Sequence, residues 1–425
     1  KTLELRGVNT DFNMVTSQLT NELTMGGNGL LTVNKNDGGV WVLNPPSANL
    51  FTGGITVSGG LLGLTVNGLG AASGVRLSNG GVFAFGGSLT TAKSFTVANN
   101  ATTIFAGDSS ISLSSPVILE VGANDVGITN SLGSGAVLNL DAGFTNNKTS
   151  AQWLNFRGTG STVITGSLPN GTVAGQGLSI QLAPQASLTL AGAADTYTGS
   201  TIMYQGRLIL EKAMTTTSSA LDFRGGTIES AADQTISIPV TLGGDPATFT
   251  GSSSFTLGNA GGALITGTST NSRTLVNTVA SGKSLIITGA MTFTNTGAVT
   301  LTVAGSGTTS IQGVMSNGSS AAGLTFAGTG TLQLTAANTA TGILTVNRSS
   351  VTLSGANGSW KGTGTSYAVN AGGTLVLDNT TNNNDRLLDA GAFNLMGGTL
   401  SLVGNATTEA AGALKAYGSA AIAFS

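Results

Sequence analysis

The sequence predicts an all-β fold: a parallel β-helix, or β-solenoid, that forms one elongated rod. Three observations favour it. Segments of similar pattern recur along the chain at wide intervals. Within them, apolar and polar residues alternate with the period of two that β-strands require. Gly and Asn separate these runs, at the points where a coil must turn. The segments are WVLNPPSANLFTGGITVSGGLLGL (41–64), LTLAGAADTYTGSTIMYQGRLIL (188–210) and LQLTAANTATGILTVNRSSVTL (332–353).

In each segment a Gly is followed nine residues later by an apolar residue that we expect in the core. These pairs are Gly53 and Leu62, Gly199 and Leu208, and Gly342 and Val351. A Gly-Gly pair then precedes or begins the next alternating run, at Gly80-Gly81, Gly225-Gly226 and Gly372-Gly373. Gly tolerates left-handed backbone conformations, so these pairs are expected at corners of the coil.

Residues 26–425 are expected to form one continuous solenoid, and residues 1–25 an N-terminal cap or assembly segment. Val15, Leu19 and Leu23 fall at helical spacing, so a short helix over 14–23 is the alternative to a strand that covers the open end. The Ala-rich stretch from Ala406 to Ala421 is interpreted as strand and turn. With roughly 20 residues per coil, the chain would make about 20 coils.

The composition is that of a folded chain with a weakly charged surface. Only 8% of residues are charged, the net charge is −2, and 40% are hydrophobic, which argues against disorder. Between Pro246 and Asn347 the formal charges are Arg273 and Lys283 alone, so Thr, Ser and Asn are expected to cover that surface. The absence of a basic stripe makes nucleic acid an unexpected partner.

No apolar run approaches the roughly 20 residues that span a bilayer, so no membrane-spanning segment is expected in this chain. The chain opens with Lys1, and we expect it to be a fragment of a longer protein from which a signal peptide has been removed or is missing. It holds no Cys and no His, which excludes disulfides, thiol catalysis and a Ser-His-Asp relay.

The segments TLAGAADTYTGSTIMYQGRLIL and LTFAGTGTLQLTAANTATGILTV resemble the autotransporter-associated β-strand repeat, also called the passenger-associated transport repeat. GGTLVLDNTTNNNDRLLDAGAFNLMGGTLSLVGN (372–405) is similar to long variants of that repeat. The resemblance implies a right-handed parallel β-helix exported across the outer membrane of a Gram-negative bacterium. The third repeat departs from the family pattern, with Ala340 in place of the usual Tyr and Ser349 in place of a Gly.

Two loops are the strongest candidates for a chemical site. NTVASGKS (277–284) is the nearest approach to a phosphate loop, but Asn277 stands where a Walker A loop needs Gly, and SLIITG after it predicts a strand. The loop DNTTNNNDRLLD holds Asp378, Asp385, Arg386 and Asp389. Paired carboxylates can hydrolyse glycosides, but Asp and Asn also cap turns, which is the favoured interpretation here.

Other candidates are weaker. Ser281 and Lys283 permit a Ser-Lys dyad, and Trp41, Trp153 and Trp360 could stack on sugars, although large aromatics at coil ends and corners are the favoured alternative. Thr-x-Thr pairs at Thr300 and Thr329 are too irregular to favour ice binding. Most Asn-x-Ser/Thr sequons are attributed to chance; they begin at Asn100, Asn147, Asn170, Asn317, Asn347, Asn357, Asn379 and Asn405.

We therefore expect a non-enzymatic structural protein, secreted or on the outer surface of a Gram-negative bacterium. It would serve as a shaft, an adhesin stalk or a fibre subunit that associates head-to-tail or laterally, with surface glycans as further candidate partners. No catalytic, cofactor-binding or metal-binding residue and no cofactor is assigned. The alternative is a β-helix protein that degrades or binds polysaccharides.

Overall fold

The computed structural model is a β-solenoid of about 16 turns, with 51% of residues in strands and 1% in helix. It describes residues 1–24, 27–214, 220–244, 246–258, 264–266, 272–293, 297–381, 384–404 and 408–425. The predicted all-β parallel β-helix is confirmed. The chain divides into two compact units, mainly Lys1–Lys212 and mainly Ala220–Ser425.

The first unit stacks its strands in three parallel sheets. One sheet holds Thr2–Leu5, Thr32–Lys35, Ile55–Val57, Gly74–Leu77, Ser94–Val97, Val117–Gly122 and Phe144–Lys148. The next holds Asn13–Val15, Val40–Leu43, Leu61–Leu64, Gly81–Ala84, Thr102–Gly107, Val126–Leu132, Trp153–Gly158, Gly177–Leu182 and Thr201–Gln205. The last holds Leu89–Thr91, Ile111–Leu113, Val137–Leu140, Ser161–Ile164, Ser187–Leu190 and Arg207–Leu210.

The second unit is built in the same way. One sheet holds Leu221–Phe223, Val240–Leu242 and Leu264–Thr266. The next holds Thr227–Ser230, Ala247–Gly251, Arg273–Val279, Val299–Ala304, Ala322–Phe326, Leu344–Val346, Ser366–Asn370, Ala392–Met396 and Leu414–Tyr417. The third is Gln234–Ile236, Phe255–Leu257, Ser284–Ile287, Thr308–Ile311, Thr331–Leu334, Ser349–Leu353, Gly373–Asp378, Thr399–Val403 and Ala421–Phe424. Two short parallel pairs are Met291–Thr292 with Met315–Ser316 and Ala337–Asn338 with Ser359–Trp360.

Parallel pairing in register places equivalent apolar side chains above one another in the core. Leu188 lies beside Leu208, and both are fully buried. In the second unit Leu332, Val351 and Leu375 form one such column, each 0% exposed. The apolar residue that closes each sequence template is therefore a core residue, as predicted, and its burial is the main source of stability.

The turns are longer and fewer than predicted. The offset between paired residues is 20 from Ile55 to Val75, but it rises to 28 from Val126 to Leu154 and to 30 from Thr2 to Thr32. The chain therefore makes about 16 turns and not the predicted 20 or so. The reason is that the strands and the loops between them both vary in length from turn to turn: Ile55–Val57 has 3 residues and Val126–Leu132 has 7. Surface loops tolerate such insertions.

At the N-terminal end the favoured strand interpretation is confirmed. Residues 14–23 overlap two strands: Asn13–Val15, and Glu22–Thr24, which forms a hairpin with Gly27–Gly29. Strand Thr2–Leu5 pairs in parallel with Thr32–Lys35. One short helix, Val66–Leu69, was not predicted; Thr65 caps it by accepting a hydrogen bond from the amide of Gly68 at 2.8 Å.

At the other end, strands Leu414–Tyr417 and Ala421–Phe424 confirm the interpretation of that stretch as strand and turn, with residues 405–407 outside the described part. The Gly-Gly pairs also meet the expectation that they lead into strands. Gly226 and Gly372 adopt φ of 91° and 80°, whereas at the first pair the left-handed residue is Asn79, with φ 70°. Asn is the non-Gly residue that tolerates this conformation best.

Thr covers part of the outer surface of the second unit, as expected from its low charge. Thr274, Thr302, Thr325 and Thr345 follow one another in register on four successive strands, each half-buried. Thr300, two residues before Thr302, pairs with Gly323, so this ladder is one Thr wide at that point. A two-column Thr array of the kind considered for ice binding is not formed there.

Candidate functional site

The acidic loop at 378–389 is held together by turn capping. The carboxylate of Asp378 accepts hydrogen bonds from the amide of Thr380 at 3.1 Å and from its hydroxyl at 2.6 Å. Asp385 forms an ion pair with Lys361. These contacts fix the loop locally, which is the role that Asp commonly has at turns.

Arg386 is the buried centre of this loop, with 0% of its surface exposed. Its guanidinium donates to the carbonyl of Gly358 at 2.6 Å, that of Gly355 at 3.0 Å and that of Asp378, and to Oδ1 of Asn379 at 2.7 Å. Burial lowers the pKa of Arg386 from its ordinary value. Arg386 therefore satisfies carbonyl groups at successive corners, a structural function.

Glu409, which the sequence did not single out, contacts the same loop. Its two carboxylate oxygens accept the backbone amides of Arg386 at 2.9 Å and Leu387 at 3.1 Å, and burial raises the pKa of Glu409. Asp385 lies close enough to raise that pKa further. Among the described residues, Asp385 and Glu409 are the carboxyl groups that most resemble a glycosidase pair. Both oxygens of Glu409, however, already accept hydrogen bonds from backbone amides.

The phosphate-loop candidate is a corner of the solenoid. Gly282 takes φ 79°, and the strand Ser284–Ile287 follows directly, so no helix N-terminus faces the loop. Asn277 is fully buried and its amide donates to the carbonyl of Thr308 at 2.8 Å and the hydroxyl of Thr309 at 3.0 Å. Lys283 lies 3.5 Å from Asp233, an exposed ion pair. Nothing in this geometry cradles a phosphate.

The same corner is also present in the first unit. Asn130, also buried, donates to the carbonyl of Ser161 at 2.8 Å and the hydroxyl of Thr162 at 3.0 Å. The segments NSLGSGAVLNL (130–140) and NTVASGKSLII (277–287) are thus two copies of one turn. A repeated structural role explains the resemblance to a phosphate loop.

The Trp side chains occupy different environments. Trp360 is fully buried, and its indole N–H donates to the hydroxyl of Thr365 at 2.9 Å. The Trp41 indole donates to the carbonyl of Arg6 at 3.0 Å. Trp153 covers Gly177, where an added Cβ would lie 2.6 Å from the ring. Trp41 and Trp153 lie on the strands Val40–Leu43 and Trp153–Gly158, and the buried Trp360 lies on Ser359–Trp360. The favoured placement of large aromatics at coil ends and corners is therefore not what the structure shows.

The structure also reveals a polar contact that recurs in all three template segments, which we call the Asn–Thr clamp. Its members are Asn21 with Thr52, Asn170 with Thr198, and Asn317 with Thr341. In each, the Asn amide donates to the Thr hydroxyl, at 2.8, 3.1 and 2.8 Å, and Oδ1 accepts the Thr backbone amide, at 3.1, 3.0 and 3.0 Å. The clamp joins the loop of one turn to the next turn.

The Gly that follows each clamp Thr packs against the backbone of the preceding turn. A Cβ would lie 2.1 Å from the carbonyl oxygen of Leu31 at Gly53, 2.4 Å from that of Gln176 at Gly199, and 2.5 Å from the carbonyl carbon of Ala322 at Gly342. These Gly stand out in the sequence, but the Asn residues were not predicted. A signal for them exists: each Asn lies two residues after an aliphatic or Met residue, one turn before a Thr-Gly pair.

Several sequon Asn residues have structural roles. Asn170 and Asn317 are clamp residues, and Asn379, buried, accepts a bond from Arg386. Asn347 accepts from the amide of Asn370 at 2.6 Å. Asn357 is exposed, and Asn405 lies outside the described residues. The Asn–Thr and Asn–Arg contacts give some of these Asn residues a structural reason to be present that does not involve glycosylation.

Across the described residues, no group of three or more acidic side chains is arranged to hold a metal ion. None of the helices in that part of the chain has the length and apolar character of a membrane span. Comparison with known proteins gave no match, whether to a protein family model, to a curated protein or to a solved structure.

Proposed function

We propose that this protein is a non-enzymatic structural component of a bacterial cell surface, a shaft, adhesin stalk or fibre subunit with autotransporter-associated β-strand repeats. The observation that carries the proposal is the use of its polar side chains. Arg386 and the clamp residues Asn170 and Asn317, the groups best placed for chemistry or recognition, are bonded to neighbouring turns. A chain whose polar groups join turn to turn is suited to bear load.

Secretion to the outer surface of a Gram-negative bacterium is part of the proposal. The supporting observations are the template segments of the sequence and the covering of the second unit by Thr and not by charge. End-to-end self-association is proposed as well. It is supported by the strands Leu414–Tyr417 and Ala421–Phe424, in which Tyr417 is 60% and Phe424 72% exposed, because a further coil placed on them would bury these side chains.

Force spectroscopy on the purified chain tests the structural role. The double variant Asn170→Ala with Asn317→Ala removes two clamps and is expected to unfold at lower force than the wild type. The control Asn357→Ala changes an exposed Asn and should leave the force unchanged. Equal forces in all three proteins would contradict the proposal that the clamps bear load.

Two further assays test the other parts of the proposal. Release of reducing ends from a panel of bacterial and plant polysaccharides, abolished by Glu409→Gln, would establish an enzyme and overturn the non-enzymatic assignment.

Sedimentation at rising concentration tests self-association. Phe424→Lys is expected to abolish larger species, while Ile343→Lys, at a side chain 51% exposed elsewhere in the second unit, should not. A wild type that stays monomeric throughout would remove end-to-end assembly from the proposal.

A further inference from the structure

A cleft of about 350 Å³ opens on the surface of the first unit. Its walls come from three successive turns, because Asn44, Thr65 and Phe85 each follow directly after the registered residues Leu43, Leu64 and Ala84. The short helix Val66–Leu69 forms one side. A volume of this size lies at the lower end of the range for small-molecule sites.

The cleft carries one rigidly held aromatic ring. Phe85 is only partly buried, and it is braced by edge-to-face contacts with Phe12 and Phe83, at centroid distances of 5.6 and 6.4 Å. Phe85 and Leu61 pack against a buried apolar cluster of Val40, Val42 and Phe83. The ring is therefore an apolar surface at the edge of solvent, held in place by its packing on other apolar side chains.

Hydrogen-bonding side chains line the same cleft as this ring, and none of the lining residues is charged. Asn67 donates its amide to the carbonyl of Pro46 at 3.2 Å, which fixes the side chain and leaves its Oδ1 as an acceptor. Thr65 is fixed by its bonds to Leu43 and Gly68. Within the described part of the chain, the side chains of Asn44 and Ser88 make no hydrogen bond to protein, so they retain donors and acceptors for a ligand.

The remaining wall leaves space for a ligand. Gly86 and Gly87, with φ of 74° and 139°, form a corner that lines the same cleft as the helix, and a Cβ on either would meet no atom within 4 Å. The corner therefore exposes backbone and not side chains. The cleft combines a fixed aromatic surface, neutral amide and hydroxyl groups, open backbone and no charge.

From this combination we propose that the cleft between Val66–Leu69 and the Gly86-Gly87 corner binds an uncharged sugar unit of a glycan. The apolar C–H face of the sugar would lie on Phe85, and its hydroxyls would bond to Asn44, Asn67 and Ser88. A charged ligand has no partner among the lining residues, and a purely apolar ligand would leave the amides and hydroxyl of the cleft without partners. The site is independent of the proposed structural role.

Saturation-transfer NMR on the full chain tests this site, with cellobiose, maltose and diacetylchitobiose as neutral probes, digalacturonate as the charged probe and indole as the apolar probe. At least one neutral disaccharide is expected to receive saturation. Phe85→Ala should weaken its binding about tenfold and Asn44→Ala about threefold. Binding of only digalacturonate or only indole, or of no probe, would overturn the proposal.

A variant that fills the cleft separates loss of sugar binding from loss of folding. Ser88→Arg places a long side chain in the cleft from an exposed position, and it should abolish binding while leaving the thermal transition unchanged. The matched control is Ser134→Arg, at another exposed position in a turn of the same unit, which should bind as the wild type does. Equal binding by the two Arg variants would show that the sugar binds elsewhere and would refute the assignment.

Discussion

Asn170 and Thr198 lie 28 positions apart in sequence and are joined by three hydrogen bonds. The Asn amide donates to the Thr hydroxyl at 3.1 Å, and Oδ1 of Asn170 accepts both the Thr backbone amide at 3.0 Å and the Thr hydroxyl at 3.3 Å. The same oxygen accepts the amides of Gly175 at 3.2 Å and Gln176 at 3.1 Å. One side chain thus satisfies the backbone of a loop and of the next turn.

Removal of this clamp should destabilise the first unit. Asn170→Ala leaves several part-buried amides without an acceptor, so we expect a loss of about 2 kcal/mol in the free energy of unfolding. Thr198→Val should lose about 1 kcal/mol, because the backbone bond persists. Urea unfolding monitored by circular dichroism measures both. Asn357→Ala is the control, and a loss no larger than that of the control would refute the role of the clamp.

Gly199 is expected to be intolerant of any side chain although its φ is not left-handed. An added Cβ would lie 2.4 Å from the carbonyl oxygens of Gln176 and Gly175, so the turns would have to separate. Gly199→Ala should destabilise by about 1–3 kcal/mol, as overpacking does. Gly38→Ala serves for comparison, since a Cβ there meets nothing within 4 Å. The two melting temperatures should differ clearly, and coincident curves would contradict the close approach.

Arg386 should be the most sensitive charged residue of its loop. Arg386→Met removes donors from the carbonyls of Gly358, Gly355 and Asp378, and we expect a loss of about 3 kcal/mol. Arg348, which is exposed, gives the control Arg348→Met, expected to fall within about 0.5 kcal/mol of the wild type. Denaturant midpoints compare the two. Similar midpoints would mean that the buried guanidinium does not hold the corners.

The ion pair of Arg76 and Glu120 should make stability depend on pH. The guanidinium donates to both carboxylate oxygens, at 2.9 and 2.8 Å, and these hydrogen bonds lower the pKa of Glu120 below its usual range. Because the folded chain then binds the proton more weakly than the unfolded chain, the stabilisation is present above the unfolded pKa, near 4.3, and lost as pH falls through the folded value. Both groups are partly exposed, so the effect should stay below about 1 kcal/mol.

The variant Glu120→Gln isolates this effect. It should be less stable than the wild type at pH 6, and the difference should shrink as the pH is lowered below about 4. Thermal melts at several pH values provide the measurement. A difference that is constant with pH would show that the charge of the Glu120 carboxylate is not the source of the stabilisation.

Leu208 and Ile209 test which face of their strand points into the core. Leu208 is 0% exposed, whereas Ile209, next to it on Arg207–Leu210, is half-buried. Leu208→Asp buries an unpaired carboxylate in the core column and is expected to prevent stable folding, with a loss above about 4 kcal/mol. Ile209→Asp should be tolerated far better. Equal loss of soluble, folded protein in both variants would contradict the assigned faces.

The fold class and the strand faces follow from the amino-acid sequence. Alternation marks which residue points inward, so the pattern alone assigns Leu62, Leu208 and Val351 to the core and places the Gly pairs ahead of strands. These signals are local: they depend on a period of two and on the freedom of Gly, both readable within about ten residues. The number of turns could not be predicted in this way, because loop lengths vary from one turn to the next.

Which polar residues meet depends on the tertiary structure. Asn170 and Thr198, or Arg386 and Gly358, are separated by about one turn, and the length of that turn depends on its loops. The sequence therefore showed the acidic loop as a candidate carboxylate site, and the structure showed that Arg386 lies at its buried centre and that Glu409 caps its backbone. The cleft beside Phe85 likewise exists only because three turns stack in register, since register is a property of neighbouring strands and not of any one of them.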